Sequence, residues 1–335
     1  MNIIIFTSTC LNTSSGSIAT TLNILNNLPE EYKANIVLAD SFVTDDKRSN
    51  VQNPELVREI INHPKTLSVS DLKDLSIDSL KKLGKCAIIA IYNFLGEDGI
   101  LPALCALGGI KILSTPFSSS ALCFDKNWTK QIMTSSGIRV PKGMVLDLSN
   151  HKNLETLESF FKECNNKIIM KPVTCGASRG CTVCTEIEHL SKGIDMVSNF
   201  SDQVLCEEFI QGREYTIGFI KNQNGLRILP PVEIITNRSF FDYKAKYDDV
   251  ETKEICPAMT LENDKLKEVH NIINTIIKVF KIESHARVDF IVSNEKIYVL
   301  EINTFPGLME NSLFPKELKA AGISMTEFIS NSFSN

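Results

Sequence analysis

The sequence predicts a mixed α/β protein in which a parallel β-α-β opening is followed by hairpin-rich segments. Three observations carry this. The run Ile3-Ile4-Ile5-Phe6 reads as a buried strand; beyond a Thr/Ser-rich loop, Ile18, Leu22 and Leu25 recur at helical spacing, and Asn35 to Ala39 returns to a strand. Near the C-terminus, Ala286-Arg287-Val288-Asp289-Phe290 and Tyr298-Val299-Leu300-Glu301-Ile302-Asn303 flank the polar link Ser293-Asn294-Glu295-Lys296, the pattern of a β-hairpin. Between them, Leu266, Val269, Ile272, Ile273, Ile276, Val279 and Phe280 repeat as one amphipathic helix.

A chain of 335 residues with 43% hydrophobic content is long enough for two or three domains. Its net charge of -5 supplies no basic stripe to displace counterions from nucleic-acid phosphates. No run of eighteen apolar residues offers a membrane span, and the apolar start Ile3 to Phe6 is too short and lacks a basic leader, so cytoplasmic residence is expected. The ten cysteines are scattered through apolar segments and read as reduced thiols. In Cys181-Thr182-Val183-Cys184, residues three apart on a strand face opposite ways, which disfavours a metal or redox pair. The five histidines have no ligand spacing.

In chain order, the loop Thr7 to Ser17 has one glycine and no Gly-x-Gly-x-x-Gly pattern. Residues 44 to 84 are polar and poorly periodic apart from a helix near Pro54 to Asn62. Ala87 to Ile91 is a strand, followed by Gly96-Glu97-Asp98-Gly99, a helix to Leu107 and a strand from Ile110 to Leu113. A domain change is expected near Ser114-Thr115-Pro116, with a helix opening at Asp125 and ending near Gly137. Lys167 to Pro172 is a strand, and Thr174 to Gly180 is a small-residue loop whose N-H groups could approach phosphate oxygens. Val204 to Ile210 is a strand carrying Glu207 and Glu208, and Gly212 to Thr216 turns into another. The aromatic and charged loop Asn237 to Pro257 is too long for a simple connection and reads as either a disordered segment or a lid.

The hairpin holds the densest chemistry. Residues two apart share a strand face, so Glu301 and Asn303 point the same way. A loop with an odd number of residues, such as Asn294 to Lys296, would set Asp289 opposite Glu301. Two carboxylates and an amide oxygen then suit Mg²⁺, with Arg287 expected on the opposite face or at the strand end. An ordinary surface hairpin with scattered charges is the competing reading.

These runs resemble the metal hairpin of the ATP-grasp superfamily, and within it the D-alanine-D-alanine ligases, which carry Arg-x-Asp and then Glu-x-Asn-Thr-x-Pro-Gly. Asn311-Ser312-Leu313-Phe314-Pro315 is similar to that family's second-substrate loop. The resemblance implies an ATP-grasp fold, α+β in its grasp domains, behind a Rossmann-like N-terminal α/β domain. It divides the chain at 1-115, 116-207 and 208-335. It implies a carboxylate-amine ligase that phosphorylates a carboxylate with ATP and releases ADP and phosphate as an amine attacks the acyl phosphate. Lys130, Lys171 and Ser178 would meet the nucleotide's phosphates; Glu207, Glu208, Phe209 and Ile210 its adenine; and Glu214 its ribose. Asp289, Glu301 and Asn303 would bind one or two Mg²⁺, with Mn²⁺ as the alternative. Lys246 and Tyr247 of the lid, Arg287, Gly307 and Ser312 would serve the reaction. The partners implied are amino-acid or carboxylate substrates, with a homodimer left open; a ligase of another pathway and a nucleotide-binding regulator are the rivals.

The chain also departs from the family. The Gly-Glu-Asp-Gly turn is usually preceded by histidine-glycine, where Phe94-Leu95 stands. Ala177 occupies the place of a serine, and no Asp or Glu precedes Glu30, so the acid that takes the first substrate's amine is missing. D-alanine is therefore expected to bind that subsite about ten- to a hundredfold more weakly unless another acid substitutes.

Overall fold

The structure is a computed structural model that describes residues 1–8, 15–40, 54–149, 153–223, 225–236 and 252–333. The opening is parallel, as expected. Strands β1 (Asn2–Thr7), β2 (Lys33–Leu38), β3 (Thr66–Asp71), β4 (Cys86–Ile89) and β5 (Lys111–Ile112) form a sheet in the order β3-β2-β1-β4-β5. Helices α1 (Ser15–Asn26) and α2 (Pro54–Asn62) bring Leu22, Leu25 and Ile60 to the face of Ile3 and Ile5. Helices α3 (Ile77–Leu83) and α4 (Ile100–Gly108) bring Leu80 and Leu101 to the face of Ile4 and Phe6. The stretch that lacked a sequence assignment thus contributes β3 and α3 as well as the expected α2. Its signal was weak because β3 is an edge strand whose Leu67 and Val69 are 51% and 37% exposed. The strand order reverses between β1 and β4, and such a switch point opens a crevice beyond the strands' carboxyl ends.

The middle of the chain supplies α5 (Phe117–Phe124), α6 (Lys126–Ser135), β6 (Gly143–Asp147), α7 (Asn153–Glu163), β7 (Ile168–Pro172), β8 (Thr182–Cys184), α8 (Leu190–Ser198) and β9 (Gln203–Glu208). The four strands form an antiparallel sheet, β6-β9-β7-β8, with Leu157, Phe161 and Val197 packed on Ile168, Met170 and Cys206. Asp125 caps α6 by accepting the Trp128 N-H at 2.9 Å, so the helix opens where its capping residue predicted.

A third sheet is built from β10 (Arg213–Asn222), β11 (Gly225–Ile228), β12 (Val232–Ile235), β13 (Lys253–Ile255), β14 (His285–Ser293) and β15 (Lys296–Asn303). Helix α9 (Asn263–Phe280) covers it with Val269, Ile273, Ile276 and Phe280. Helices α10 (Leu313–Ala320) and α11 (Met325–Phe333) bury Phe314, Leu318 and Phe328 in the cluster that holds Ile3 and Leu22, and so tie the end of the chain to the first sheet. His285 lies between Phe314 and Phe328, with ring centroids 5.3 and 5.1 Å away. The described cysteines are all free thiols.

Candidate active site

The β14-β15 hairpin reaches the expected pairing by a different route. Ser293 pairs with Lys296, so the turn holds two residues, and Asn294 and Glu295 both take left-handed φ of 46° and 61°. An even loop of this kind would set Asp289 opposite Leu300. A bulge intervenes: Phe290 pairs with Val299 and Asp289 with Glu301, leaving Leu300 as the extra residue. The odd-loop expectation is therefore wrong, and its consequence holds because of the bulge.

Arg287 also departs from its expected place. Residues two apart on β14 share a face, and Arg287 turns onto Asp289, Nε to Oδ1 at 2.9 Å and Nη2 to Oδ2 at 3.1 Å. Thr216, paired with Asp289 across β10, donates its hydroxyl to Oδ1 at 2.5 Å. One row across three strands therefore reads Thr216, Asp289, Glu301, and the next reads Gly218, Arg287, Asn303. Burial works against the guanidinium's charge, and Asp289 more than offsets it, so the Arg287 pKa is raised. Glu317 fills the space over Gly218 and accepts its N-H at 2.9 Å; burial pushes its carboxyl well above the usual range. Among the described residues, the Glu301 carboxylate makes no hydrogen bond or ion pair.

Glu301 lies where two cavities meet, since it lines both. The first, of about 490 Å³, runs between the central and third sheets. Lys171, Ser178, Glu207, Glu208 and Glu214 line it, with Phe209 and Ile210 along the segment that joins the sheets and Asp289 from the hairpin. Leu300 lines it beside Glu301, which neighbours on a regular strand could not do. Lys130 stands behind this wall. Its Nζ is 2.5 Å from Glu207 Oε1, an ion pair without hydrogen-bond alignment, while Lys171 Nζ donates to Oε2 at 2.7 Å. Burial would raise the Glu207 pKa, yet the Lys130 and Lys171 charges outweigh it and hold the carboxyl below its usual range. Burial in turn pulls Lys130 down against the pull of Glu207.

The second cavity, of about 590 Å³, opens at the switch point of the parallel sheet. Gly16 follows β1 into it, Tyr92, Asn93 and Glu97 follow β4, and Arg287, Asn303, Gly307 and Ser312 come from the third sheet and its sequel. Asn303 Oδ1 accepts the Phe305 N-H at 3.0 Å, and a Cβ on Gly307 would lie 2.9 Å from Ser312 Oγ. Ser312 stands at the N-cap of α10 without spending its hydroxyl on capping. Tyr92 closes the wall: its hydroxyl is 2.7 Å from Thr20 Oγ1 and accepts the Leu308 N-H at 3.3 Å. The loop expected to approach phosphates crosses between the cavities, with Ala177 lining one, Ser178 the other, and both in left-handed φ of 56° and 54°.

Lys246 and Tyr247 lie outside the described residues, as does most of the expected lid. Sequence reasoning missed Lys126, which lines the smaller cavity and donates from Nζ to the Cys175 carbonyl at 2.5 Å, and it missed Thr216, Tyr92 and Glu97. Thr216 had a signal, since it shares a strand face with Glu214; the other three are brought in by tertiary packing alone.

Residues 132–333 match the family model described as "D-ala D-ala ligase C-terminus". The D-alanine-D-alanine ligase of Buchnera aphidicola is 33% identical over 264 residues, 77% of this chain and 84% of the relative. The chain belongs to the D-alanine-D-alanine ligase family. A second member, from Halalkalibacterium halodurans, is 33% identical over 78% of this chain and 82% of its own. The crystal structure of the Bacillus anthracis D-alanine-D-alanine ligase superposes with a TM-score of 0.77 at 25% identity, covering 99% of this chain and 96% of that one. The fold is the ATP-grasp arrangement of this family of ATP-dependent, ADP-forming ligases. No helix among the described residues is long and apolar enough to cross a membrane.

Proposed function

We propose that the protein joins two small amino acids, D-alanine at both sites in the first reading, at the expense of ATP. The observation that carries this is the position of Glu301, a carboxylate unpaired among the described residues, where a lysine-lined cavity meets one holding Arg287, Gly307 and Ser312. In this reading the nucleotide takes the smaller cavity. Its γ-phosphoryl passes to a carboxylate oxygen of the first substrate, the β-γ bridge breaks, and ADP leaves. The amine of the second substrate then attacks the acyl carbon, phosphate departs, and the amine gives up a proton as the amide forms.

Such chemistry asks the protein for charge neutralisation and positioning rather than a nucleophile. Lys171 offers positive charge to phosphates at the cavity wall, with Lys130 behind it and both held by Glu207. Arg287, fixed by Asp289, presents its guanidinium to the substrate side. Gly307 leaves backbone room beside Ser312, whose unspent hydroxyl suits the second substrate's carboxylate. The donor set also fits a hard cation. Glu301 is unpaired among the described residues, Asp289 is directly opposite, and Asn303 adds an amide oxygen, so these three would hold Mg²⁺, which would neutralise phosphate charge. The division into domains at 115 and 207 belongs to the same reading, as does a cytoplasmic location; the central sheet has an apolar cluster of its own, while Cys123, Met133 and Ile138 pack into that of the third sheet.

A second reading, a different first substrate, is favoured by Ala177 and by the lack of any acid before Glu30. Product analysis with D-alanine, other amino acids and hydroxy acids separates the two.

A further inference from the structure

A small amino acid enters as a zwitterion, so a cavity that binds it has to answer an ammonium as well as a carboxylate. The acids lining the larger cavity differ in what they have left to offer. Glu254 is already paired with Lys316 at 2.5 Å, Glu59 and Glu310 are exposed, and Glu301 faces the nucleotide side. Glu97 remains. It is half-buried, and what it exposes opens into this cavity.

Its setting is built. Glu97 Oε2 accepts the Asn93 N-H at 2.6 Å, and Asn93 Oδ1 accepts the Gly176 N-H at 2.5 Å, so the turn after β4 is fastened to the loop of the central sheet. Among the described residues Oε1 has no hydrogen-bond partner. Burial pushes the carboxyl up to about 7, opposed by the Asn93 N-H and by Lys126 on α6, raised further by Glu301 on β15 and lowered by Arg287 on β14. Among the described residues no cation touches it. A half-buried carboxyl with one open oxygen in an amino-acid cavity is short of a cationic partner.

We infer that Glu97 is the countercharge for the ammonium of the first amino acid, standing in for the acid this chain lacks after β1. This rests on the ligase reading above. It implies that the first site still selects an α-amine, and that a 2-hydroxy acid of the same size gains nothing from Glu97.

The test isolates the first site by trapping the acyl phosphate with hydroxylamine, so that hydroxamate formation with ATP and Mg²⁺ reports D-alanine or D-2-hydroxypropanoate separately. Glu97→Gln keeps an oxygen for the Asn93 N-H and removes the charge. The expected result is a KM for D-alanine raised about ten- to a hundredfold, an unchanged KM for the hydroxy acid, and partial recovery in Glu97→Asp. An unchanged D-alanine KM, or an equal rise for both acids, would overturn the inference, the latter marking Glu97 as a support for the turn. If the unaltered protein makes no hydroxamate from either acid, the ligase reading fails. Calorimetric binding of D-alanine to the ADP-loaded protein and its Glu97→Gln variant then decides the role of Glu97, with equal affinities counting against it.

Discussion

Asp289 faces Glu301 across the hairpin because Leu300 is an extra residue in β15. The two carboxylates are unequal. Asp289 is held by Arg287 and Thr216, while Glu301 has no partner among the described residues and borders both cavities. Glu301→Gln keeps the shape and removes the charge. Turnover should fall by about two orders of magnitude, the scale of losing one preorganised electrostatic contact, with the thermal midpoint little changed. Steady-state ADP release and a melting curve on the same preparation check both, and full activity would contradict the role.

Glu207 carries the opposite risk. Buried Lys130 and partly buried Lys171 share its buried carboxylate, and Glu207→Gln leaves them facing each other without an anion. Removing one partner of a buried ion pair costs about 3–5 kcal/mol, so the variant should unfold at clearly lower urea. An unchanged urea midpoint would mean that the lysines relax into solvent.

His285 gives the fold a pH dependence. Burial between Phe314 and Phe328 lowers its pKa to about 4, against about 6.5 in an unfolded chain. The unfolded state therefore takes up a proton first, and the stability is present above pH 6.5 and lost as pH falls towards 4. Between pH 7.5 and 5 the loss should be about 2 kcal/mol. Urea unfolding of the protein and of His285→Leu at both pH values measures it, with the smaller pH difference expected in the variant.

What could be read from the sequence follows from what is local. Alternation along Ala286 to Asn303 placed the hairpin, and the helical repeat from Leu266 to Phe280 placed α9, because both patterns come from one buried face. The bulge at Leu300 left no mark in composition, so the right pairing was reached through the wrong loop. Arg287 was misplaced even though the two-residue spacing to Asp289 already put both on one face. The lysine pair around Glu207 joins α6, β7 and β9, and Glu97 meets the larger cavity only through the packing of the parallel sheet against the third. Such meetings depend on long-range packing that no window of sequence contains.

The most direct test is the product balance with D-alanine as sole amino acid, ATP and Mg²⁺. ADP, phosphate and dipeptide are quantified together in one reaction. The expected result is one ADP and one phosphate for each D-alanyl-D-alanine formed, with no ADP when D-alanine is left out. ADP without dipeptide, or no ADP despite ATP bound to the protein, would contradict the proposed ligation.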